Sequence, residues 1–258
     1  MKLHTETRGQ GPELVMLHGW GMNAAVWQPV ADLLAEHYRV TLIELPGHGG
    51  SEYDGVLSRL DDWTSACLAA APQQATWIGW SLGGQLAQRA ALLAPERIDR
   101  LVLVASSPRF VVGEGWPHAM SLLTLKQFAR ALLRDHHQTL ERFLSLQVQG
   151  DEAARETLRL LRKDIALRRE ADPTALEHGL DLLRDVDLRD QLRQIRCPTL
   201  WLLGERDTLV PADLGDDLET LMPEAEVLIL HGCAHAPFIS HPRQCLRALD
   251  HFLGSHHG

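Results

Sequence analysis

The stretch Trp77-Ile78-Gly79-Trp80-Ser81-Leu82-Gly83-Gly84 decides how the rest of the chain is interpreted. It has the pattern of a buried strand that ends in a tight turn and leads into a helix, and it contains the motif G-x-S-x-G. Glycine at positions 79 and 83 lets the strand and the helix approach closely. The turn lifts the hydroxyl of Ser81 out of the sheet. The amide of Leu82, at the start of the helix, stays free to donate a hydrogen bond to a negative oxygen. The motif therefore predicts a serine that is held for nucleophilic attack.

Buried strands and helices alternate on both sides of this stretch. Apolar runs typical of the strands of a parallel sheet lie at residues 13–18, 39–45, 75–79, 99–105, 198–204 and 225–231, with an edge strand at 2–8. Helical patterns lie at 23–36, 58–70, 85–93, 212–221 and 241–252. In the first of these helices we expect Trp27, Val30, Leu33 and Leu34 to share the buried face. The order predicts an α/β fold, a mostly parallel twisted sheet with helices on both faces, followed by a frayed tail at 254–258.

The alternation stops between about residues 107 and 186. This part contains four helical patterns, at 122–133, 139–148, 152–166 and 174–183, and no strand-like run. We interpret residues 109–186 as a helical cap inserted into a core formed by residues 1–108 and 187–258. A cap is expected over the carboxyl edge of the sheet, because α/β proteins bind their ligands there. The alternative is a set of extra helices packed on the sheet.

Composition excludes several classes of protein. No apolar run is long enough to span a membrane, and the first residues lack the apolar core of a signal peptide, so we expect a cytoplasmic protein. The net charge of −9 argues against nucleic acid as a general partner. The four cysteines have no metal-ligand spacing and are expected to be free thiols in a reducing compartment.

A serine needs a base, and the base needs an orienting acid. The chain has 14 histidines, but His235 lies in a loop of small residues just after a predicted strand, from where it can reach Ser81. Asp207 follows another predicted strand and is placed to orient His235. The competing residues are His231 and Glu205, and an ordinary loop histidine and a helix-capping aspartate remain the simpler interpretations. The order Ser81, Asp207, His235 is the one expected for the catalytic triad of an α/β hydrolase.

An oxyanion hole requires two backbone amides. The amide of Leu82 is one candidate, and the amide of Trp20, in the loop after the first inner strand, is the other. The ring of Trp20 would wall an acyl pocket, with simple core packing as the alternative. We expect His18 and His48 to be structural, because each lies at a bend beside the sheet edge.

Several stretches together resemble the α/β-hydrolase superfamily. They are Leu17-His18-Gly19-Trp20-Gly21, Leu45-Pro46-Gly47-His48-Gly49-Gly50-Ser51, the Ser81 motif, Gly204-Glu205-Arg206-Asp207 and His235. Two further strings, Glu141-Arg142-Phe143-Leu144-Ser145-Leu146-Gln147 and Ala234-His235-Ala236-Pro237-Phe238-Ile239-Ser240-His241-Pro242, are similar to the pimeloyl-acyl-carrier-protein methyl ester esterase family of biotin biosynthesis. The resemblance runs nearly end to end. It implies hydrolysis of a methyl ester on a carrier-bound dicarboxylic chain, with substrate contacts at Trp20, Ser81, Leu82, Phe143, Leu144, Ser145, Leu146, Gln147 and His235.

The helical insertion carries a positive charge in an acidic chain. Residues 120–170 contain ten basic and seven acidic side chains, a net charge of +3 where the whole chain has −9. Arg142, Arg155 and Arg159 are candidates for docking an acidic carrier protein, because arginine suits phosphate and carboxylate groups. The simpler interpretation is a solvated helix face with local salt bridges. Phe143, Leu144 and Leu146 would line a channel from this patch to the serine, or form part of the core of the cap.

The sequence thus predicts a monomeric serine ester hydrolase that needs no metal or organic cofactor. A general short-chain carboxylesterase and a carbon–carbon bond hydrolase are alternatives with the same triad. A ligand receptor that keeps the fold and the pocket is the alternative outside enzymes.

Overall fold

A seven-stranded sheet forms the centre of the molecule. The structure is a computed structural model, and it describes residues 1–254; the expectation for the rest of the tail lies outside the described residues. The strands are β1 (Thr5–Arg8), β2 (Glu13–Leu17), β3 (Arg39–Ile43), β4 (Ala75–Trp80), β5 (Ile98–Val104), β6 (Thr199–Gly204) and β7 (Glu226–Leu230). Their order across the sheet is β1-β3-β2-β4-β5-β6-β7. Only β1 runs antiparallel to its neighbour, so the mostly parallel sheet is confirmed.

Ten helices surround the sheet in the described part of the chain. They are α1 (Gln28–Leu34), α2 (Leu60–Ala70), α3 (Leu82–Leu93), α4 (Leu122–Leu132), α5 (His136–Gln147), α6 (Ala154–Ile165), α7 (Pro173–Asp185), α8 (Leu214–Leu221), α9 (Pro237–Ser240) and α10 (Pro242–Gly254). Among the described residues, no helix is both long and apolar enough to cross a membrane.

The first helix differs from its prediction. Asn23 caps a 3₁₀ turn, Ala24–Trp27, and α1 begins only at Gln28. A 3₁₀ turn has three residues per turn, so it changes the register of the side chains that follow. Leu33 is 49% exposed and the expectation for it was wrong, whereas Trp27, Val30 and Leu34 are buried as expected.

Four helices, α4 to α7, lie between β5 and β6, where the sequence shows no strand. Polar side chains begin three of them: Ser121 accepts a hydrogen bond from the Leu123 amide, Asp135 from that of Gln138, and Asp172 from that of Thr174. Only isolated bridges, not a strand, form before α4. The helices predicted at 122–133, 139–148, 152–166 and 174–183 are confirmed within three residues at each end. Their description as a separate cap over residues 109–186 stays a prediction.

The parallel strands bring separate parts of the chain to one edge of the sheet. β4, β6 and β7 all point in the same direction, and Ser81, Asp207 and His235 each lie in the connection that follows one of them. The carboxyl edge of the sheet is therefore the place where these three residues meet.

Candidate active site

Ser81 lies at the apex of the turn between β4 and α3. Its φ of 55° and ψ of −118° form a strained backbone conformation that few non-glycine residues adopt. The turn is tight enough to require its glycines: a Cβ at Gly79 would lie 2.5 Å from the carbonyl oxygen of Gly83. The hydroxyl of Ser106 donates to the carbonyl oxygen of Ser81 (2.8 Å) and supports the turn from β5.

Three side chains form a continuous hydrogen-bonded chain at this edge. The Nδ1–H of His235 donates to Oδ2 of Asp207 (2.7 Å), and the hydroxyl of Ser81 lies 3.0 Å from Nε2 of His235. The other oxygen of Asp207 accepts hydrogen bonds from the amides of Leu209 and Val210. Since the carboxylate can only accept, this arrangement places the proton of neutral His235 on Nδ1 and leaves Nε2 free to take the proton of Ser81.

The competing residues lie elsewhere. The carboxylate of Glu205 accepts a hydrogen bond from the amide of Gly232 and lies 3.3 Å from the ring of His231, and this pair is exposed. Asp207 and His235, in contrast, are almost completely buried. Burial strengthens the electrostatic interaction of the inner pair, because little water screens it.

Two backbone amides near Ser81 are candidates to donate to a negative oxygen. A Cβ at Gly19 would lie 3.3 Å from Cβ of Ser81, so the loop that carries the Trp20 amide passes directly next to the serine. Within residues 1–254, neither the amide of Trp20 nor that of Leu82 has a hydrogen-bond acceptor in the protein. The arrangement can therefore supply an oxyanion hole.

His18 and His48 hold this loop to the neighbouring loop. Nε2 of His18 accepts the amide of Leu45 (3.0 Å), and Nε2 of His48 accepts the amide of Gly21 (3.2 Å). Each ring donates from Nδ1 to a nearby carbonyl oxygen. Burial lowers the pKa of His18 well below its usual value and that of His48 to about 4. Both rings are thus neutral near pH 7, as their acceptor roles require.

Trp20 joins the sheet edge to the helical segment. Its ring is completely buried, and its indole N–H donates to the carbonyl oxygen of Leu176 in α7 (2.8 Å). The rings of Trp20 and of Phe143 in α5 are nearly perpendicular, with their centroids 4.8 Å apart. α5 and α7 therefore pack against the loop beside Ser81.

The segment Phe143–Gln147 divides into buried and exposed residues. Phe143 and Leu144 are buried, Leu146 is half-buried, and Ser145 is exposed with its hydroxyl bonded to the carbonyl oxygen of Glu141. Gln147 is buried, and its Oε1 has no hydrogen-bond partner among the described residues. A buried amide oxygen without a partner costs about 1–3 kcal/mol, which makes it a candidate contact for a ligand.

The three candidate docking arginines are all exposed. Arg159 makes two hydrogen bonds to Glu156, at 2.8 and 2.6 Å, so part of its charge is neutralised. Arg142 and Arg155 have no carboxylate partner within the part of the chain that the structure describes. A groove of about 640 Å³ opens beside Arg142 and is lined mainly by Phe128, Ala131, Leu146 and Val148.

One cluster of described residues has metal-ligand chemistry. His136, His137 and Glu170 offer ligand atoms within 4.8 Å of one another, mostly at the surface. The two histidines open α5, whose N-terminal end carries a partial positive charge that opposes a cation. This cluster is not part of the Ser81 site.

Sequence reasoning missed one residue of the site. The indole N–H of Trp80 donates to the carbonyl oxygen of His235 (2.7 Å), and its ring centroid lies 5.8 Å from the imidazole. Trp80 stands inside the Ser81 motif, but its variable position there gave no signal of a role.

Comparisons with known proteins bear on the fold and the family of the chain. Residues 12–242 match the family model described as the alpha/beta hydrolase fold. The pimeloyl-[acyl-carrier protein] methyl ester esterase of Photobacterium profundum is 46% identical over 248 residues, which cover 96% of this chain and 97% of that protein. The protein of the same name from Nitrosomonas europaea is 44% identical, with 96% and 98% covered. Among solved structures, an esterase from Exiguobacterium antarcticum has a TM-score of 0.88 at 21% identity, covers 98% and 95% of the two chains, and supports the fold alone.

Proposed function

The chain belongs to the α/β-hydrolase fold family and, within it, to the pimeloyl-[acyl-carrier protein] methyl ester esterases, and we propose that it is a serine carboxylesterase that hydrolyses the methyl ester of pimeloyl-[acyl-carrier protein] to pimeloyl-[acyl-carrier protein] and methanol in biotin biosynthesis. The observation that carries the proposal is the hydrogen-bonded chain from Asp207 through His235 to Ser81, in a sequence at least 40% identical to these relatives over nearly its whole length.

Acylation begins with Ser81. Its Oγ attacks the ester carbonyl carbon while Nε2 of His235 takes the hydroxyl proton, and Asp207 stabilises the imidazolium that forms. The amides of Trp20 and Leu82 donate to the oxyanion of the tetrahedral intermediate, with roughly 3 kcal/mol of transition-state stabilisation from each donor. The intermediate collapses as the C–O bond to the methoxy group breaks. That oxygen takes the proton from His235 and leaves as methanol.

Deacylation repeats the same steps with water. His235 takes a proton from a water molecule as its oxygen attacks the acyl-enzyme, and it then returns that proton to Oγ of Ser81 as the acid leaves. Every proton in the cycle is moved by His235, so the proposal includes no metal and no cofactor.

The proposed cap controls access to the serine. Ser81 is only 3% exposed, and Trp20 with its contacts to α5 and α7 lies beside it. We propose that these helices shift when the acyl chain enters, and that Phe143, Leu144, Ser145, Leu146 and Gln147 then contact it. The apolar groove between α4 and α5 offers the arm of a carrier protein a path along Leu146.

The remaining parts of the proposal concern partners and location. Arg142, Arg155 and Arg159 would meet the acidic surface of the carrier. The carrier-bound substrate and the free cysteines both suit a reducing compartment, so the proposed location is the cytoplasm. A monomer stays the expected oligomeric state.

The direct test is to replace Ser81 by Ala and to measure hydrolysis of pimeloyl-[acyl-carrier protein] methyl ester and of p-nitrophenyl acetate. We expect the variant to fold like the parent and to lose at least about 10⁴-fold in kcat for both esters, because nucleophile and proton donor vanish together. Ser121→Ala, which removes an exposed hydroxyl at the start of α4, is the matched control and should retain the p-nitrophenyl acetate activity.

The same assay separates the alternatives. An undiminished kcat of the Ser81→Ala variant would refute the catalytic assignment. A wild-type protein that cleaves p-nitrophenyl acetate but not the carrier-bound methyl ester would instead indicate a general short-chain carboxylesterase.

A further inference from the structure

The turn between α5 and α6 contains a buried carboxylate that the proposed chemistry does not use. Asp151 is 8% exposed, and among the described residues it has no cationic partner. Buried carboxylates are rare unless their oxygens are hydrogen-bonded. The contacts of Asp151 therefore call for an explanation.

The two oxygens of Asp151 serve two different parts of the chain. Oδ1 accepts a hydrogen bond from the amide of Ala153 (2.7 Å), two residues ahead, which is the local turn expected before a helix. Oδ2 accepts a hydrogen bond from the amide of Ala234 (2.9 Å), 83 residues away and immediately before His235. Only the first of these contacts is local to the turn before α6.

The contact with Ala234 is one of three that hold the His235 loop to this turn. The amide of His235 itself donates to the carbonyl oxygen of Gln147, the last residue of α5 (3.0 Å). The amide of Glu152 donates to the carbonyl oxygen of Gly232 (3.1 Å). The loop from Gly232 to His235 is thus hydrogen-bonded to residues 147–152. Of these three hydrogen bonds, only the one to Asp151 involves a side chain.

The position of His235 depends on these three hydrogen bonds. Its imidazole must keep Nε2 within hydrogen-bond distance of Ser81, and a displacement of about 1 Å in such a pair can cost 100-fold in rate. The imidazole is almost completely buried, but the residues on either side of it are alanines, so hydrogen bonds are needed to hold the backbone of this loop. The amide of Ala234 is held on one side of the His235 residue, and the Trp80 indole holds the His235 carbonyl oxygen on the other.

We propose that Asp151 is a positioning residue for His235. It ties the catalytic loop to the end of α5, the helix that carries the proposed substrate segment, so that the reacting pair keeps its geometry only while this end of α5 is in place. The inference rests on the proposed function, because it takes Ser81 and His235 as the reacting pair.

The test compares Asp151→Ala and Asp151→Asn with the wild-type enzyme on p-nitrophenyl acetate. Alanine removes both acceptors. Asparagine keeps the shape, and its oxygen retains the local turn with Ala153 and leaves an NH₂ group facing the amide of Ala234. We expect kcat to fall about 10- to 100-fold in both variants, with KM changed less than about threefold, since a small ester needs few binding contacts. The low-field NMR resonance of the His235 Nδ1 proton should shift or broaden in both.

Ser121→Ala is the matched control. Ser121 accepts a hydrogen bond from the amide two residues ahead of it, as Asp151 does, but among the described residues its side chain makes no contact with the His235 loop. It removes only a local contact at the start of a helix, so it should leave kcat and the His235 resonance unchanged.

Two results would overturn the inference. One is a folded Asp151→Ala protein with kcat within twofold of wild type. If that variant does not fold, a kcat within twofold of wild type in Asp151→Asn would overturn the inference instead. The other is an equal fall of kcat in Ser121→Ala, which would reduce the effect to helix stability. A wild-type protein that cleaves no ester would overturn the proposed function and this inference together.

Discussion

At the scale of single residues, the site depends on positions without a side chain. Gly79, Gly83 and Gly84 let β4, α3 and the loop after β2 approach closely around Ser81. Ser81 has a strained backbone with a φ of 55°, and such strain persists only where tightly packed surroundings hold it. A single methyl group added at one of these glycines should therefore lower the catalytic rate.

Gly83→Ala tests this dependence. Its Cβ would lie 2.5 Å from the carbonyl oxygen of His18 and 2.7 Å from that of Leu17, so either α3 or the Trp20 loop must shift. The two proposed oxyanion donors, Leu82 and Trp20, belong to this helix and this loop. We therefore expect kcat for p-nitrophenyl acetate to fall at least about tenfold, and the free energy of unfolding to fall by about 1–3 kcal/mol.

Gly55→Ala is the control for that substitution. Its Cβ would meet only a methyl group of Thr174 at 3.7 Å, so activity and stability should stay close to wild type. Full activity in a folded Gly83→Ala protein would show that the tight approach is not required for catalysis.

At the scale of elements, α6 offers the sharpest test of carrier docking. Arg155 and Arg159 lie one turn apart on its exposed surface, and Arg159 is partly neutralised by Glu156. Attraction between these arginines and an acidic carrier protein would mainly accelerate association. The double variant Arg155→Glu/Arg159→Glu replaces this attraction by repulsion and should lower kcat/KM for the carrier-bound ester at least about tenfold at low salt. Its kcat/KM for p-nitrophenyl acetate should not change.

Arg193→Glu/Arg196→Glu changes the net charge by the same amount and is the matched control. These exposed arginines precede β6, at the opposite edge of the sheet from Ser81. If both double variants lose activity equally, net charge explains the effect. If the α6 variant keeps wild-type kcat/KM, the docking surface lies elsewhere.

At the scale of the whole molecule, stability should depend on pH through buried histidines. The folded protein keeps His18 and His48 neutral, with the pKa of His48 lowered to about 4 by burial, whereas in the unfolded chain both titrate near 6.5. The unfolded state therefore binds more protons as the pH falls from 6.5 towards 4, and the free energy of unfolding must decrease over this range. His48 alone should contribute roughly 3 kcal/mol.

Urea denaturation at pH 7.5, 6.0 and 4.5 measures this effect. His48→Gln, whose side-chain oxygen can still accept the amide of Gly21, should show a smaller loss of stability between pH 7.5 and 4.5 than wild type. Equal losses in the two proteins would contradict the role given to His48.

The sequence predicted elements whose pattern is local and failed where a distant contact decides. The central strands β4 and β6 are recognisable as apolar runs, because a strand that is buried on both faces consists mainly of apolar residues. Leu33 was misplaced because a 3₁₀ turn shifted the register of α1. Trp80 and Asp151 could not be found, since each acts through a bond to the His235 loop about 80 to 155 residues away along the chain.

The open side of β7 bears on how the protein behaves when it is concentrated. This strand ends the sheet of the described residues, and Leu228 and Ile229 along it are 41% and 40% exposed. Its outer amides and carbonyls form a template for an added strand, and Glu226 is its only charged residue. A lysine introduced midway along β7 would discourage edge-to-edge aggregation without approaching the chemistry.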